Sequence, residues 1–450
     1  MNKKRISVFG FILCFVIFTQ AQNIKRVWSL EECIQYAIKH NIELEQIAQD
    51  REASEIELNT AKNNYLPTLN ASTSQNFDFG RSPSKTGVIV DQNSANTSMY
   101  LQLNVSVFDG FLTKNSIEAK KWSLKAITAS LQAAKESLLI NIASYYLQVL
   151  YYKELFSVTK MNLDITNELM DRTQIMVNEG KVPESLLYDV KAQLAKEEVL
   201  LIEAESNVSL ALLDLTQCLD LESLEEFDFD IAIPEIENTL SEYINALLAP
   251  EYIYEIAVYE KPQIKEKQFL LISQKKNLKS IQANYYPTLN FFATYSNGYY
   301  HYYNQEVLNI SFSDQLEQNV RRTLGFTLTI PIFNRFSVRN NIRKARINIH
   351  GHQLQVDAAK KMLYKEIQQA YSNAIAAQEK YKSSCNAVEA AKEAYRYATE
   401  RYDAGKSTVF EYNEAKIKYT NSLSEQAQSK YNFIFRAKIL DFYFGVPLRL

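Results

Sequence analysis

Asn64-Tyr65-Leu66-Pro67-Thr68-Leu69-Asn70 returns as Asn284-Tyr285-Tyr286-Pro287-Thr288-Leu289-Asn290, a shift of 220 residues. Farther along, Asn178-Glu179-Gly180-Lys181 returns as Asp403-Ala404-Gly405-Lys406, a shift of 225. Solenoid units run about 20–50 residues, so a period this long marks two copies of one structural half. The fold therefore has internal pseudo-symmetry. The shift of 220 holds from Asn41 and Lys261 through the first strands, and 225 holds from the second strands onward. The five extra residues are expected in the loop between strands, around 83–96 against 304–320, where length changes cost little.

Each half has the same order of signals. Ser29-Leu30-Glu31-Glu32 fits a capping box opening a helix over about 29–65. Pro67 ends it, having no N–H and disfavouring helix in the residue before it; Pro287 marks the equivalent helix–strand boundary. Met99, Leu101, Leu103, Val105 and Val107 then alternate with polar residues, as in a strand with one apolar face. In the second half, strands are expected over 288–303 and 322–332, the latter alternating Leu324, Phe326, Leu328, Ile330 and Ile332. From about 112 to 178 there is neither proline nor glycine, and Ile117, Leu124, Leu131, Leu138 and Tyr145 recur every seven residues. This heptad seam implies a supercoiled helix roughly 100 Å long. It repeats as Ile342, Ile349, Val356, Leu363, Ala370 and Ala377. Gly180 and Gly405 end the long helices in hairpin turns, and shorter helices return over about 184–217 and 408–441. Residues 222–249 are acidic and irregular, a connector with room for a short strand or helix.

Residues 1–21 read as a cleavable secretory signal: Lys3, Lys4 and Arg5, an apolar run from Ile6 to Phe18, then Thr19-Gln20-Ala21. The run falls short of the roughly 20 residues a spanning helix needs. Cys14 lies inside it, which argues against lipoprotein processing. The remainder divides into repeat one (22–221), the connector (222–249) and repeat two (250–450). Loss of the three basic residues takes the formal net charge from −3 to about −6, which argues against a nucleic-acid partner. Cys33, Cys218 and Cys385 are too widely spaced for a disulfide framework and read as packing residues. Glycine and proline are scarce and tyrosine abundant, as suits long helices and an aromatic surface.

Strands of about 10 alternating residues are long enough to cross a bilayer. One chain supplies only four, and an open sheet would leave edge N–H and C=O groups unpaired in lipid. Closed barrels have eight or more strands. If these strands span a membrane, several copies must share one barrel. Leu101, Leu103, Val105, Val107, Leu324, Phe326 and Leu328 would then face lipid. In each half, two short helices sum to the length of one long helix, which suits a tube wall of uniform height.

The order, spacing and duplication of these features resemble the TolC-like outer-membrane efflux ducts over essentially the whole mature chain. The matching residues are Trp28-Ser29-Leu30-Glu31-Glu32-Cys33-Ile34-Gln35-Tyr36-Ala37 with Asn41, the paired Tyr-x-Pro-x-Leu stretches at Tyr65 and Tyr285, and the strand exits Val107-Phe108-Asp109-Gly110 and Ile332-Phe333-Asn334. The turns at Gly180 and Gly405 match as well. The resemblance implies a membrane α+β fold: a homotrimeric 12-stranded β-barrel, four strands per chain, continued by a long α-helical coiled-coil barrel with two structural repeats per chain. It implies an exit duct of a tripartite efflux pump or type I secretion system, with no enzymatic activity and no cofactor. Its partners would be a periplasmic adaptor (membrane fusion protein), an inner-membrane transporter and outer-membrane lipid. The hairpin ends would form the periplasmic entrance. By position, Glu411 and Glu414 match an acidic pair that narrows it, and Tyr402 matches a tyrosine of the closing links. Ser407 and Leu186 depart from the pattern, which leaves Asp189 as the nearest acid in the first half.

Two other readings compete. A periplasmic coiled-coil adaptor would have one helical hairpin and many glycines, where this chain has two hairpins and few. A passive porin would need many more strands and far less helix. His350-Gly351-His352 suggests a metal, but residues two apart on a helix diverge, so a solvated face is expected. Tyr295, Tyr299, Tyr300, Tyr302 and Tyr303 are expected in an interfacial girdle rather than a sugar site. There is no nucleotide loop, nucleophile elbow or catalytic dyad in the sequence.

Overall fold

The computed structural model describes residues 27–83, 87–91, 93–221, 230–231, 249–303 and 309–446. The expected signal segment lies outside them, as does most of the connector. The first repeat runs β1 (Val27–Trp28), α1 (Leu30–His40), α2 (Ile42–Asn63), β2 (Thr68–Asp78), β3 (Arg81–Pro83), β4 (Ile89–Asp91), β5 (Ser94–Phe108), α3 (Leu112–Asn178) and α4 (Glu184–Cys218). After β6 (Asp230–Ile231) come α5 (Pro250–Glu260), α6 (Pro262–Ala283), β7 (Thr288–Tyr302), α7 (Phe312–Gln318), β8 (Arg321–Thr329), α8 (Ser337–Asp403) and α9 (Val409–Phe444).

The capping box is present: the Glu32 N–H donates to Ser29 Oγ at 3.2 Å, and the Ser29 N–H to Glu32 Oε2 at 2.9 Å. The single helix expected over 29–65 is two, and its counterpart before Pro287 is likewise divided. Asn41 has extended backbone and its side chain caps α2, accepting from the Leu44 N–H at 3.0 Å. In the second repeat Pro262 does the same work by disfavouring helix at Lys261, which is extended too. The equivalent positions Cys33 and Ile253, Ala37 and Ala257, and Leu44 and Ile264 are all buried. Both long helices are 67 residues, each spanning roughly 100 Å. Among the described residues, no helix is long and apolar enough to cross a membrane.

Four strands form one antiparallel sheet in the order β2-β5-β7-β8. Its register obeys the duplication to the residue. Thr68 pairs with Asn104, and adding 220 and 225 gives Thr288 with Thr329, the pair observed. Directly opposed residues share a face. Leu103, Ala293 and Leu324 make one row, and Val105, Phe291 and Phe326 the next. The other face carries Gln102, Thr294 and Thr323, and then Ser106, Asn290 and Thr327.

Two strand ends differ from expectation. A bulge between Ser106 and Phe108 sets Phe108, not Val107, opposite Leu289. β8 stops at Thr329, because Pro331 has no N–H for a ladder; Ile330 and Ile332 lie beyond it, exposed. The loop of the second repeat also packs, where none of that was expected. Gln315 of α7 is buried, accepting from the Tyr300 N–H and donating to the Tyr300 carbonyl, both at 2.9 Å. This covers the part of β7 that outruns β8. Within the connector, Asp230–Ile231 pairs in parallel with Val27–Trp28.

Candidate functional site: the hairpin tips

The two hairpin turns close identically. Gly180 (φ 72°) and Gly405 (φ 68°) occupy the left-handed region, where a Cβ is penalised. The Lys181 N–H donates to the Met176 carbonyl at 2.9 Å, and the Lys406 N–H to the Arg401 carbonyl at 2.8 Å. This is the 6→1 bond that ends a helix on glycine. It brings α3 back into α4 and α8 back into α9.

Side chains then tie one hairpin to the other. Arg172 of α3 donates from Nη1 to Asp403 Oδ1 at 2.8 Å. Tyr402 bonds the Thr173 side chain, and burial raises its hydroxyl above the usual tyrosine range. Behind it, Leu169, Val190, Val409 and Tyr412 form a buried cluster against which Leu186, Tyr395 and Tyr402 pack. Leu186 is thus part of the apolar seal between hairpins, which accounts for an aliphatic residue where the first half would otherwise carry an acid. The Tyr412 hydroxyl meets that of Tyr395 at 2.9 Å, and burial drives its ionisation well above the normal range.

Glu411 and Glu414 stand on one exposed face at the start of α9. Glu411 accepts from Ser407 Oγ at 2.5 Å and lies 3.6 Å from Arg401 Nη2. Ser407 therefore orients the carboxylate rather than leaving a gap. Glu414 pairs with Lys418 at 2.7 Å. Each acid has a cationic neighbour in wet surroundings, so its outward field is partly cancelled. Asp189 is exposed on α4 and joins neither pair.

Sequence reasoning missed the network deeper in the wall. Lys416 (0 % exposed) donates to Glu197 Oε1 at 2.9 Å, and Glu197 (1 % exposed) also accepts from Gln193 Nε2 at 2.6 Å. Thr166 hydrogen-bonds both charged groups, so α3, α4 and α9 meet at one buried ion pair. The signal was present: Val190, Glu197, Ala204 and Ala211 recur every seven residues and all are buried. A charge inside such a stripe needs a partner. A second such lysine sits near the far end of α9. Lys261 donates to Glu136 at 3.2 Å and to the Phe442 carbonyl at 2.9 Å, and burial lowers its pKa. Its counterpart Asn41 instead donates to Asp220 at 3.0 Å. Among the described residues no group of three or more metal-ligating side chains assembles, and His350 is exposed.

The pattern of the outer membrane efflux protein family matches residues 33–220 and 253–445, most of the chain and both repeats. The chain belongs to that family. It is 23 % identical over 431 residues to the outer membrane protein TolC of Escherichia coli, covering 93 % of this chain and 81 % of TolC. It is 22 % identical over 431 residues to toxin and drug export protein A of Aggregatibacter actinomycetemcomitans, covering 92 % and 87 %. Among solved structures, the Campylobacter jejuni CmeC outer membrane channel aligns with a TM-score of 0.75 at 19 % identity, over 92 % of this chain and 85 % of CmeC. A membrane protein from Pseudomonas aeruginosa aligns at 0.77 and 15 %, over 93 % and 90 %. This TolC-like protein has the mostly helical α+β channel fold of these neighbours and is an outer-membrane efflux protein.

Proposed function

We propose that three copies close one 12-stranded barrel in the outer membrane, and that their helices continue it as a tube across the periplasm. The duct would receive cargo from an inner-membrane transporter through a periplasmic adaptor, in efflux or in type I secretion. The observation that carries this reading is the open sheet. β2 and β8 are edges with unpaired backbone groups, which lipid does not tolerate. The duplication supplies the closing register. Met99 pairs with Asn297 inside the chain. Adding 225 to the first and subtracting 220 from the second sets Leu324 opposite Phe77 of the next copy. Both side chains are exposed in the single chain, as residues awaiting a neighbour should be.

The test is a cysteine pair. Leu324→Cys with Phe77→Cys should give disulfide-linked oligomers up to a trimer, since opposed Cβ atoms lie about 4.5–5.5 Å apart. Leu324→Cys with Asn76→Cys, one residue out of register, should not. A monomer in mild detergent would sink the shared barrel. At the other end, Glu411 and Glu414 would line the mouth. Replacing both with alanine should reduce cation preference in planar bilayers; unchanged selectivity would make them ordinary solvated charges.

A further inference from the structure

Below the sheet, Arg339, Arg343 and Arg346 line a groove of about 510 Å³ together with Gln282, Tyr285 and Tyr286. The arginines stand at i, i+4 and i+7, on one face of α8. No acidic residue lines the groove, and among the described residues none of the three guanidinium groups is ion-paired. Three unpaired guanidinium groups converging on one hollow are an anion site by charge and by fork geometry. We propose that this groove binds the phosphate of an anionic phospholipid headgroup in the periplasmic leaflet of the outer membrane, an inference that rests on the barrel reading above.

Its depth fits. The polar layer on each side of a bilayer is roughly 5–8 Å thick. Arg339 and Arg343 lie within the first two turns of α8, just past the end of β8, and Arg346 is about 10 Å beyond Arg339 along the helix. Between strand and arginines lies an aromatic pair, Phe333 edge-on to Phe336 at 5.5 Å, with Arg339 5.8 Å from the Phe336 ring. Aromatic residues followed by cations are what a membrane–water boundary selects. The first repeat copies the boundary but not the site. Phe108 and Phe111 stand 5.4 Å apart, with Lys114 5.9 Å from the Phe111 ring. The counterpart of Arg343, however, is Glu118, which would repel phosphate.

The next copy does not consume the groove. Within the chain, α3 meets α6 through Leu112 and Ala119, whose carbonyls accept from Ser280 at 3.5 Å and Ser273 at 2.8 Å, and through Trp122 against Phe269 at 5.6 Å. Their counterparts on α8, facing the next copy, are Ser337, Lys344 and Ile347. At about 100° per residue, Arg343 is about 100° from Lys344 around the helix, and Arg339 and Arg346 about 140–160°.

Native mass spectrometry of the delipidated trimer in detergent, titrated with phosphatidylglycerol, diacylglycerol or inorganic phosphate, tests the site. Phosphatidylglycerol should be retained and diacylglycerol not. Arg339→Gln/Arg343→Gln/Arg346→Gln should weaken retention about tenfold or more, while Lys114→Gln/Lys121→Gln in the first repeat leaves it unchanged. If the triple variant yields no trimer, Arg343→Gln alone should still lower retention severalfold. Equal retention in the arginine variants, or no preference over diacylglycerol, overturns the site. Displacement of phosphatidylglycerol by equimolar inorganic phosphate would make it a free-anion site and overturn the lipid assignment. A wild-type chain that is monomeric in detergent breaks the duct reading itself; a trimer without lipid preference breaks only this inference.

Discussion

At the sheet the two repeats keep one register, whereas at the hairpin tips equivalent positions carry different chemistry. Thr68–Asn104 and Thr288–Thr329 are the same pair moved by the two shifts. Leu186 and Glu411, also 225 apart, are respectively packed against the seal between hairpins and exposed on its rim. The cause is mechanical. A one-residue slip in a strand turns every side chain to the wrong face, so a sheet with an apolar and a polar side admits one alignment. A helical tip needs only to bury its stripe and close its turn. Gly180 and Gly405 satisfy the turn in both halves, and the rest is free to diverge. The sheet stayed symmetric, and the hairpin tips did not.

That contrast can be broken at several points. The largest effect is expected where the hairpins share a buried charge pair. Glu197→Ala should destabilise the protein by about 3–5 kcal/mol, because Lys416 is left buried and unpaired. Lys416→Met/Glu197→Met should recover most of that loss in denaturant titrations; a double variant no better than the single would deny the pairing. Next comes the sheet. Leu103→Asp and Phe326→Asp, both on the apolar face, should each cost about 2–4 kcal/mol or less and lower the yield of membrane-assembled trimer. Normal yield from both would count against that face.

The strand exits give a smaller effect of opposite sign in the two repeats. Gly110 (φ 67°) leaves no room for a Cβ, which would stand 2.7 Å from the Ala283 carbonyl oxygen. Its counterpart Arg335 (φ 54°) already has a side chain in that strained region. Gly110→Ala should lower stability by about 1–3 kcal/mol and Arg335→Gly should raise it by about 1 kcal/mol; equal signs would contradict the asymmetry. The smallest effect is on pH dependence. Burial and Glu366 push the Tyr443 hydroxyl up to about 12. The folded state thus favours the neutral phenol, and its contribution is whole below pH 10 and lost as pH rises through about 12. Tyr443→Phe should flatten that part of the alkaline unfolding curve. An unchanged slope would assign it to other tyrosines.

Much of this was legible because period-two alternation and glycine or proline punctuation are local signals. Leu103 and Phe326 share a face as the alternation required, and both glycine turns stand where the spacing put them. The failures were places where a contact distant in sequence decides the outcome. The heptad stripe marks Glu197 as buried, but that its partner is Lys416 follows only from three helices meeting there. The breaks at Asn41 and Lys261 are the exception, set locally by an Asn cap and by Pro262. The bulge before Phe108 depends on how β7 lies beside it. The tip acids Glu411 and Glu414 were picked by position alone, and their pairing with Arg401, Ser407 and Lys418 is visible only in the structure.

The central pairing of the sheet has a consequence for how the chain comes to be folded. β5 and β7 are some two hundred residues apart, so the ladder that joins the repeats forms only after much of the chain is available. Alone, each repeat would own a two-stranded ribbon, which is marginal in water. Neither half therefore completes the sheet by itself, despite being a copy of the other. Contacts of such long range also form slowly and leave sheet edges open while they do. A chain of this design keeps its strand edges exposed until both repeats are present, so the sheet is completed late.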